Sequence, residues 1–370
     1  MITYNRKKFR QHPFIKAARY RLSSIIAAGK LSPQHIGILE EWDKLFTQYS
    51  TVEMGNLESL KAIPPKNWEG LLPLLENKDA INIFFNSISR HFWAVQEKYA
   101  RFLDIIEHHH YQVMSLRDLK KTSATKKIAV LYHDTHAWDI LPAIILLAEN
   151  RRRNMTSTFF INWRFAPEDH ESTPAYLCLC KLAKYCNCEI GLHSSPLSSW
   201  IRSSCFKNDP IEFENWCQSD NFEKDLTSII LGNGKTSFGQ LSGDKWKENA
   251  KQLAYSQATS LQEHVSDLQH TNPHGDEIGR FLFHLNKQKN DPLIRSFFAG
   301  PFYQKEILDY CNLEDSILTF QSERQEFVQH LWEPTYIHDP KKSLKAELAN
   351  GKIKLILNHP RKIYLDKLGL

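Results

Sequence analysis

The stretch 128-IAVLYHDTHAWDILPAIILLAENRRRNMTSTFFINW-163 decides the fold. It opens on an unbroken apolar run, Ile128 to Tyr132, and closes on a second, "TSTFFINW". Between them, "ILPAIILLA" from Ile140 to Ala148 is far shorter than the roughly 20 residues a membrane crossing needs. "YQVMSL" precedes this stretch, and "CEIGLHSS", "HVSDLQH" and "IKLILNHP" follow it, each an apolar run separated from the next by helical sequence. Strands that alternate with helices pair in parallel, in an α/β sheet or barrel.

Parallel α/β folds carry their reactive groups at the carboxyl ends of the strands. The first strand ends in His133, Asp134, Thr135 and His136, with Asp139 just beyond. With a side-chain period of two, Ile128, Val130, Tyr132, Asp134 and His136 share one face, and Ala129, Leu131, His133 and Thr135 share the other. Asp134 and His136 therefore point the same way, spaced to meet one cation, while His133 is expected to pack beneath a helix. A hydrogen-bonded pair, or a helix N-cap at Asp139, explains the same residues without a metal. "CEIGLHSS" ends in His193, and "LILNHP" ends in His359 before a strand-stopping proline, so three strands finish in histidine. "HVSDLQHTNPHG" adds His270 and His274 as further candidates for the same mouth.

The flanking sequence carries less chemistry. The first ninety-odd residues read as helices. "SPQHIGILEEWDKLFTQYS" has Ser32 as N-cap, Pro33 at the first helical position and apolar residues at Ile36, Leu39, Trp42 and Leu45 or Phe46. A short helix, "EGLLPLLEN", and one longer helix running from Lys78 to the histidines His108 to His110 follow; the histidines are read as capping its carboxyl end. Residues 1–95 are accordingly expected to form a helical segment and 96–370 the α/β domain.

Composition sets the remaining bounds. The 370 residues carry 42% hydrophobic and 24% charged side chains, as soluble globular chains do. The net charge of +5 is spread along the chain and does not call for nucleic acid. Fourteen glycines without a G-x-G-x-x-G or P-loop pattern argue against a nucleotide cradle. The basic amino terminus is followed by no apolar core of signal-peptide length, so a cytoplasmic location without membrane insertion is expected. Seven cysteines in such a chain read as free thiols. The pairs Cys178/Cys180 and Cys186/Cys188 fall in "TPAYLCLCKLAKYCNC", which reads as a helix from about Pro174 rather than a zinc knuckle.

"FLDIIEHHHYQVMSLRDLKKTSATKKIAVLYHDTHAWDILPAIILLAENRRRNMTSTFFINW", followed by "CEIGLHSS" and "LILNHP", resembles the polysaccharide deacetylase-like family in the order and spacing of its strand ends. "NPHGDE" is similar to an "HG" segment of some members, and the likeness spans roughly Tyr99 to Leu370. It implies a distorted (β/α)7-type barrel and metal-dependent removal of an acetyl group from a sugar. Asp134 and His193 match the family's metal-binding pattern, and His359 matches its acid. His136 stands where relatives carry a second aspartate, and Leu197 where many place the second histidine of an H-x3-H pair. The ligand set is then Asp134, His136 and His193 around a divalent ion, zinc by preference. Asp134 would act as base, with Asp139 a weaker candidate, and His359 would act as acid unless it is a core histidine bonded to a carbonyl. Trp138, Trp163 and Trp200, just past strand ends, would either stack on a sugar ring or plug the core.

The implied substrate is a sugar or sugar-linked carrier, a precursor in surface-polysaccharide or lipopolysaccharide assembly. A carbohydrate-binding or scaffolding protein that keeps the fold without turnover is the alternative, motivated by His136 and Leu197. A metal-dependent hydrolase of another C–N bond is the third reading.

Overall fold

The computed structural model describes residues 29–51, 63–119, 127–164, 170–193, 196–231 and 353–361, with shorter pieces at 236–237, 256–257, 259–266, 268, 270–272, 300–301 and 348. Within them the chain is an α/β protein.

Helix α1 (Pro33–Thr51) starts as its sequence requires: the Ser32 hydroxyl accepts the His35 N–H at 3.2 Å. It buries Leu39, Trp42 and Phe46. Helix α2 (Pro65–Leu71) runs into a 3-10 turn at Leu72–Glu76, which accommodates Pro73. Helices α3 (Lys78–His91) and α4 (Trp93–His108) replace the single long helix expected there. The backbone breaks at Phe92 (φ −112°, ψ 26°), whose buried ring packs edge-on to Phe46 at 5.6 Å. The long-range contact with α1 overrides a local apolar pattern that reads straight through.

Strand β1 (Gln112–Met114), a single turn α5 (Leu116–Leu119) and strand β2 (Ile128–Thr135) follow, then helix α6 (Ile140–Arg153), strand β3 (Thr158–Ile161), helix α7 (Thr173–Tyr185) and strand β4 (Glu189–His193). Helices α8 (Pro196–Cys205), α9 (Pro210–Cys217) and α10 (Phe222–Leu231) lead to β5 (His270–Asn272), β6 (Gly300–Pro301) and β7 (Ile353–Asn358). "HVSDLQH" was expected to be a strand. Instead Val265 and Leu268 are buried in a turn that follows a short helix, and the strand begins only at His270.

Among the described residues all ladders but one are parallel; β5 and β6 are antiparallel. β2 pairs with β7 over Ile128–His133, with β1 over Ile128–Val130 and with β3 over Tyr132–Thr135. A strand has two edges, so β1 and β3 share one of them end to end while β7 takes the other. The Leu116 N–H donating to Thr158 Oγ1 at 2.9 Å marks their junction. Across the sheet the order is β7, β2, β3, β4, β5, β6.

Right-handed crossovers that step in one direction lay their helices on one face. Helices α4, α6 and α7 pack together there, with α3 on α6, α2 on α7 and α1 on α3. Every residue of α6 from Ile140 to Asn150 is buried, because sheet and outer helices enclose it on all sides. One apolar cluster extends from Leu31 through Trp42, Ala129, Leu131, Phe159 and Leu179 to Ile356. Ile128, Val130, Tyr132 and Phe160 are equally buried but belong to the opposite face.

Candidate functional site

The register places Asp134 beside Phe160 of β3, which pairs in turn with Gly191 of β4; His193, two residues further along β4, stands beside Asn272 of β5. By the same parity Asp134, His136, Asn162, His193 and His359 all belong to the face away from the helices. Each stands at, or one or two residues from, the carboxyl end of its strand: β2, β2, β3, β4 and β7 in turn.

These side chains converge. His193 Nδ1 lies 3.9 Å from Asp134 Oδ1, and both side chains are almost wholly buried. The His136 ring stands perpendicular to that of His193, with centroids 5.5 Å apart. It is stacked with His359 at 5.9 Å and 12°, and with Trp138 at 5.4 Å and 10°. His136 and His359 are partly exposed, so the histidine cluster grades from a buried base to an open rim. Below Asp134, Tyr132 packs edge-on to Phe160 at 5.8 Å; burial, and then the Asp134 charge, push its phenol well above its ordinary range.

His133 points to the other face. It is fully buried, stacked on Phe159 at 4.5 Å and edge-on to Tyr99 at 6.2 Å. Burial lowers its pKa to about 3, so the ring is neutral, as an imidazole under a helical layer must be.

Asp139 is tied to Arg361 and to the His136 backbone. Although it occupies the N-cap position of α6, its side chain makes no cap bond there. Its Oδ1 accepts the Arg361 backbone N–H at 2.9 Å, and its Oδ2 accepts the His136 backbone N–H at 3.2 Å and the Arg361 guanidinium. Burial raises its pKa to about 6 against the opposing pull of Arg361. Asp134 is left as the carboxylate facing the cluster among the described residues.

Of the three tryptophans, Trp163 and Trp200 are buried and Trp138 is partly exposed. Trp163 is fully buried, with its indole N–H on Ser260 Oγ at 3.3 Å and its ring against Tyr176 and His264. Trp200 is buried as well. Trp138 is engaged by His136 and by the Arg361 guanidinium, 5.5 Å from its ring centroid. His270 begins β5 two residues before the partner of His193, and His274 lies outside the described residues. Leu197 falls in the first turn of α8. Cys178, Cys180, Cys186 and Cys188 are buried free thiols; desolvation raises the pKa of each, to about 12 for Cys180.

Two residues join the site that the sequence did not single out. Asn162 Nδ2 stands 2.9 Å from His136 Nδ1, its backbone N–H reaches Thr135 O, and its buried Oδ1 has no hydrogen-bond partner. With the amide nitrogen toward the ring, the imidazole proton sits on Nε2. With the amide reversed, the carbonyl oxygen accepts Nδ1–H and Nε2 is left with a lone pair, as a metal-binding histidine needs. Arg361 is the other residue. Strand parity beyond β3 (158, 160, 162) would have found Asn162; nothing local signals Arg361.

A carboxylate and two imidazoles are the donor set zinc prefers. Among the described residues no three histidine, cysteine, aspartate or glutamate side chains already stand at metal-holding distance. Tetrahedral zinc spaces neighbouring donors about 3.3 Å apart, and His193 Nδ1 and Asp134 Oδ1 stand 3.9 Å apart. By their chemistry Asp134, His136 and His193 are donors that zinc accepts, and they share one face at the strand ends.

Comparison with protein-family models, curated proteins and solved structures gives no match in any of the three.

Proposed function

We propose that the protein is a metal-dependent hydrolase that removes an acetyl group from an amino sugar. The observation that carries this reading is the convergence of Asp134, His136, His193 and His359 at one end of a parallel sheet. Two features support a barrel of the deacetylase kind around it. The last of the described strands, β7, returns to pair with β2 at the start of the sheet, as it must in a barrel. Asp134 and His193 come within 3.9 Å although β3 runs between their strands. Strands two apart in a flat sheet are separated by about 9.6 Å, so an approach of their side chains to 3.9 Å is favoured by a concave face. The buried residues Val130, Tyr132 and Phe160 line that face beneath the site.

Zinc held by Asp134, His136 and His193 would supply Lewis acidity to the acetyl group and the attacking water. The chain's own residues supply the proton transfers. Asp134 takes a proton from the water as it adds to the acetyl carbon. The C–N bond then breaks, and His359, beside His136 at the rim, gives a proton to the departing nitrogen; acetate and a free amine leave. Asn162 holds the His136 ring by its Nδ1 edge, so the imidazole keeps one orientation throughout. The same constellation would cleave an O-acetyl ester, where the leaving oxygen makes a smaller demand on the acid. Among the described residues no helix is long and apolar enough to cross a membrane. We take the substrate to be a nucleotide-linked or lipid-linked N-acetylated sugar destined for a surface polysaccharide.

The test is direct. Protein stripped by chelation and reloaded with zinc is incubated with N-acetylated sugar nucleotides, and acetate and metal content are measured together. Stoichiometric zinc, acetate release, and loss of both in His193→Ala are expected. A folded protein that binds the sugars yet neither holds metal nor releases acetate would instead be a carbohydrate-binding scaffold, and the proposal would fall.

A further inference from the structure

Asp139 and Arg361 lie 222 positions apart, yet they meet at the rim of the site. Asp139 is fully buried, and the Arg361 side chain is 19% exposed. An ion pair this enclosed gains little net stability, since the desolvation of both charges offsets their attraction. Its bonding is instead specific to geometry. A single carboxylate accepts the backbone N–H of His136 at 3.2 Å, the backbone N–H of Arg361 at 2.9 Å and the guanidinium. It therefore fixes the main chain at one imidazole-bearing residue and two residues beyond another, His359. Buried Pro360 stands between His359 and Arg361, and its ring-locked φ passes the constraint back along the chain.

The side chains form a second tie. The guanidinium lies over Trp138, Trp138 stacks on His136, and His136 stacks on His359, with centroids at 5.5, 5.4 and 5.9 Å in turn. Arg361 thus touches both ends of this arrangement: the backbone that carries His359 and the aromatic layer that backs His136.

We propose that Asp139 and Arg361 are positioning residues, a clasp that sets the orientation of the His136 and His359 imidazoles. The assignment rests on the hydrolytic reading given above. Neither residue touches the reacting atoms; both act through the two histidines.

The experiment compares wild-type protein with Arg361→Ala, Arg361→Lys and Asp139→Asn, each zinc-loaded. Kinetics, thermal melting, and the Cε1–H resonances of His136 and His359 in 13C-histidine-labelled protein are recorded, assigned with His136→Gln and His359→Gln. Displacing a catalytic group by about 1 Å costs on the order of 100-fold in rate. In Arg361→Ala, kcat is therefore expected to fall by about that factor with KM nearly unchanged, both resonances to move, and ethylguanidinium to restore rate and resonances together. Arg361→Lys keeps a charge but loses the planar fork, so its kcat is expected to stay low. A variant that melts earlier but keeps its kcat and its two resonances would make the clasp merely structural and overturn the assignment. If the wild-type protein releases no acetate, the hydrolytic reading fails by itself, and the resonances with and without ethylguanidinium still decide whether the clasp orients the imidazoles.

Discussion

Replacing His133 by leucine tests the strand parity on which the site depends. The native ring is held at about 3 by burial, against 6.5 for an ordinary histidine, and it is wholly enclosed between Phe159 and Tyr99. The stability this confers is present above 6.5 and is lost as pH falls toward 3, because over that window the unfolded chain takes up a proton the native ring refuses. At about pH 4.5 the gap amounts to two pH units, or about 3 kcal/mol at ~1.4 kcal/mol per unit. His133→Leu removes the term. It also strips the Asn358 side chain of its 3.4 Å neighbour, His133 Nδ1, and of that contact's contribution. That loss is about 1–2 kcal/mol but does not vary with pH. Urea unfolding of both proteins, followed by circular dichroism from about pH 7.5 down to 4.5, should show the wild type losing about 3 kcal/mol more than the variant. Parallel curves would mean that His133 is not sealed under the helices. Then β2 would be turned over, and Asp134 and His136 would not face the site.

Other substitutions address the chemistry and its support. His359→Gln should slow release from an N-acetyl sugar by about 100-fold or more while barely affecting p-nitrophenyl acetate, whose leaving group needs no acid; equal losses on both would remove His359 from the acid role. Asn162→Leu should weaken zinc binding by about 10-fold or more in a chelator competition, because the partner that orients a ligand histidine is lost; unaltered affinity would make Asn162 a bystander. Trp42→Ala should cost about 3–5 kcal/mol, since Trp42 is 1% exposed against Trp68 and Phe84. It should lower a single melting transition shared by the sheet, and a separate early transition would show the amino-terminal helices to be independent.

The strands could be read from sequence because a buried parallel strand writes itself as a short unbroken apolar run, and the period of two then assigns each terminal side chain to a face. That logic places His133 under the helices and Asp134, His136, His193 and His359 together, as the register has them. Helix α1 was legible for a similar reason, its cap and its three- and four-residue apolar spacing being local. What failed was decided by distant partners. The break at Phe92 involves neither proline nor glycine, and only the ring of Phe46 makes it visible. Val265 and Leu268 are buried in a turn that follows a short helix, and a short window reads their apolar side chains as a strand. Asp139 reads locally as an N-cap or a weaker candidate base because its ion-pair partner, Arg361, is 222 positions further along the chain.

The amino-terminal helices have a consequence for the site although they lie on the other side of the sheet. Asp134 and His193 keep polar groups almost out of water, and a carboxylate so placed tolerates little displacement before its stabilising contacts are lost. The turn that carries His136 runs directly into α6, so the turn is only as fixed as that helix. Were α6 a surface helix, half of it would face solvent and its packing would restrain it from one side only. Instead α3, α4 and α7 close around it, and α1 closes over α3 through the aromatic contacts of Trp42 and Phe46 with Phe84. The outer helices thus act on the chemistry by making α6 a core element, which is the rigid support a site built from converging strand ends requires.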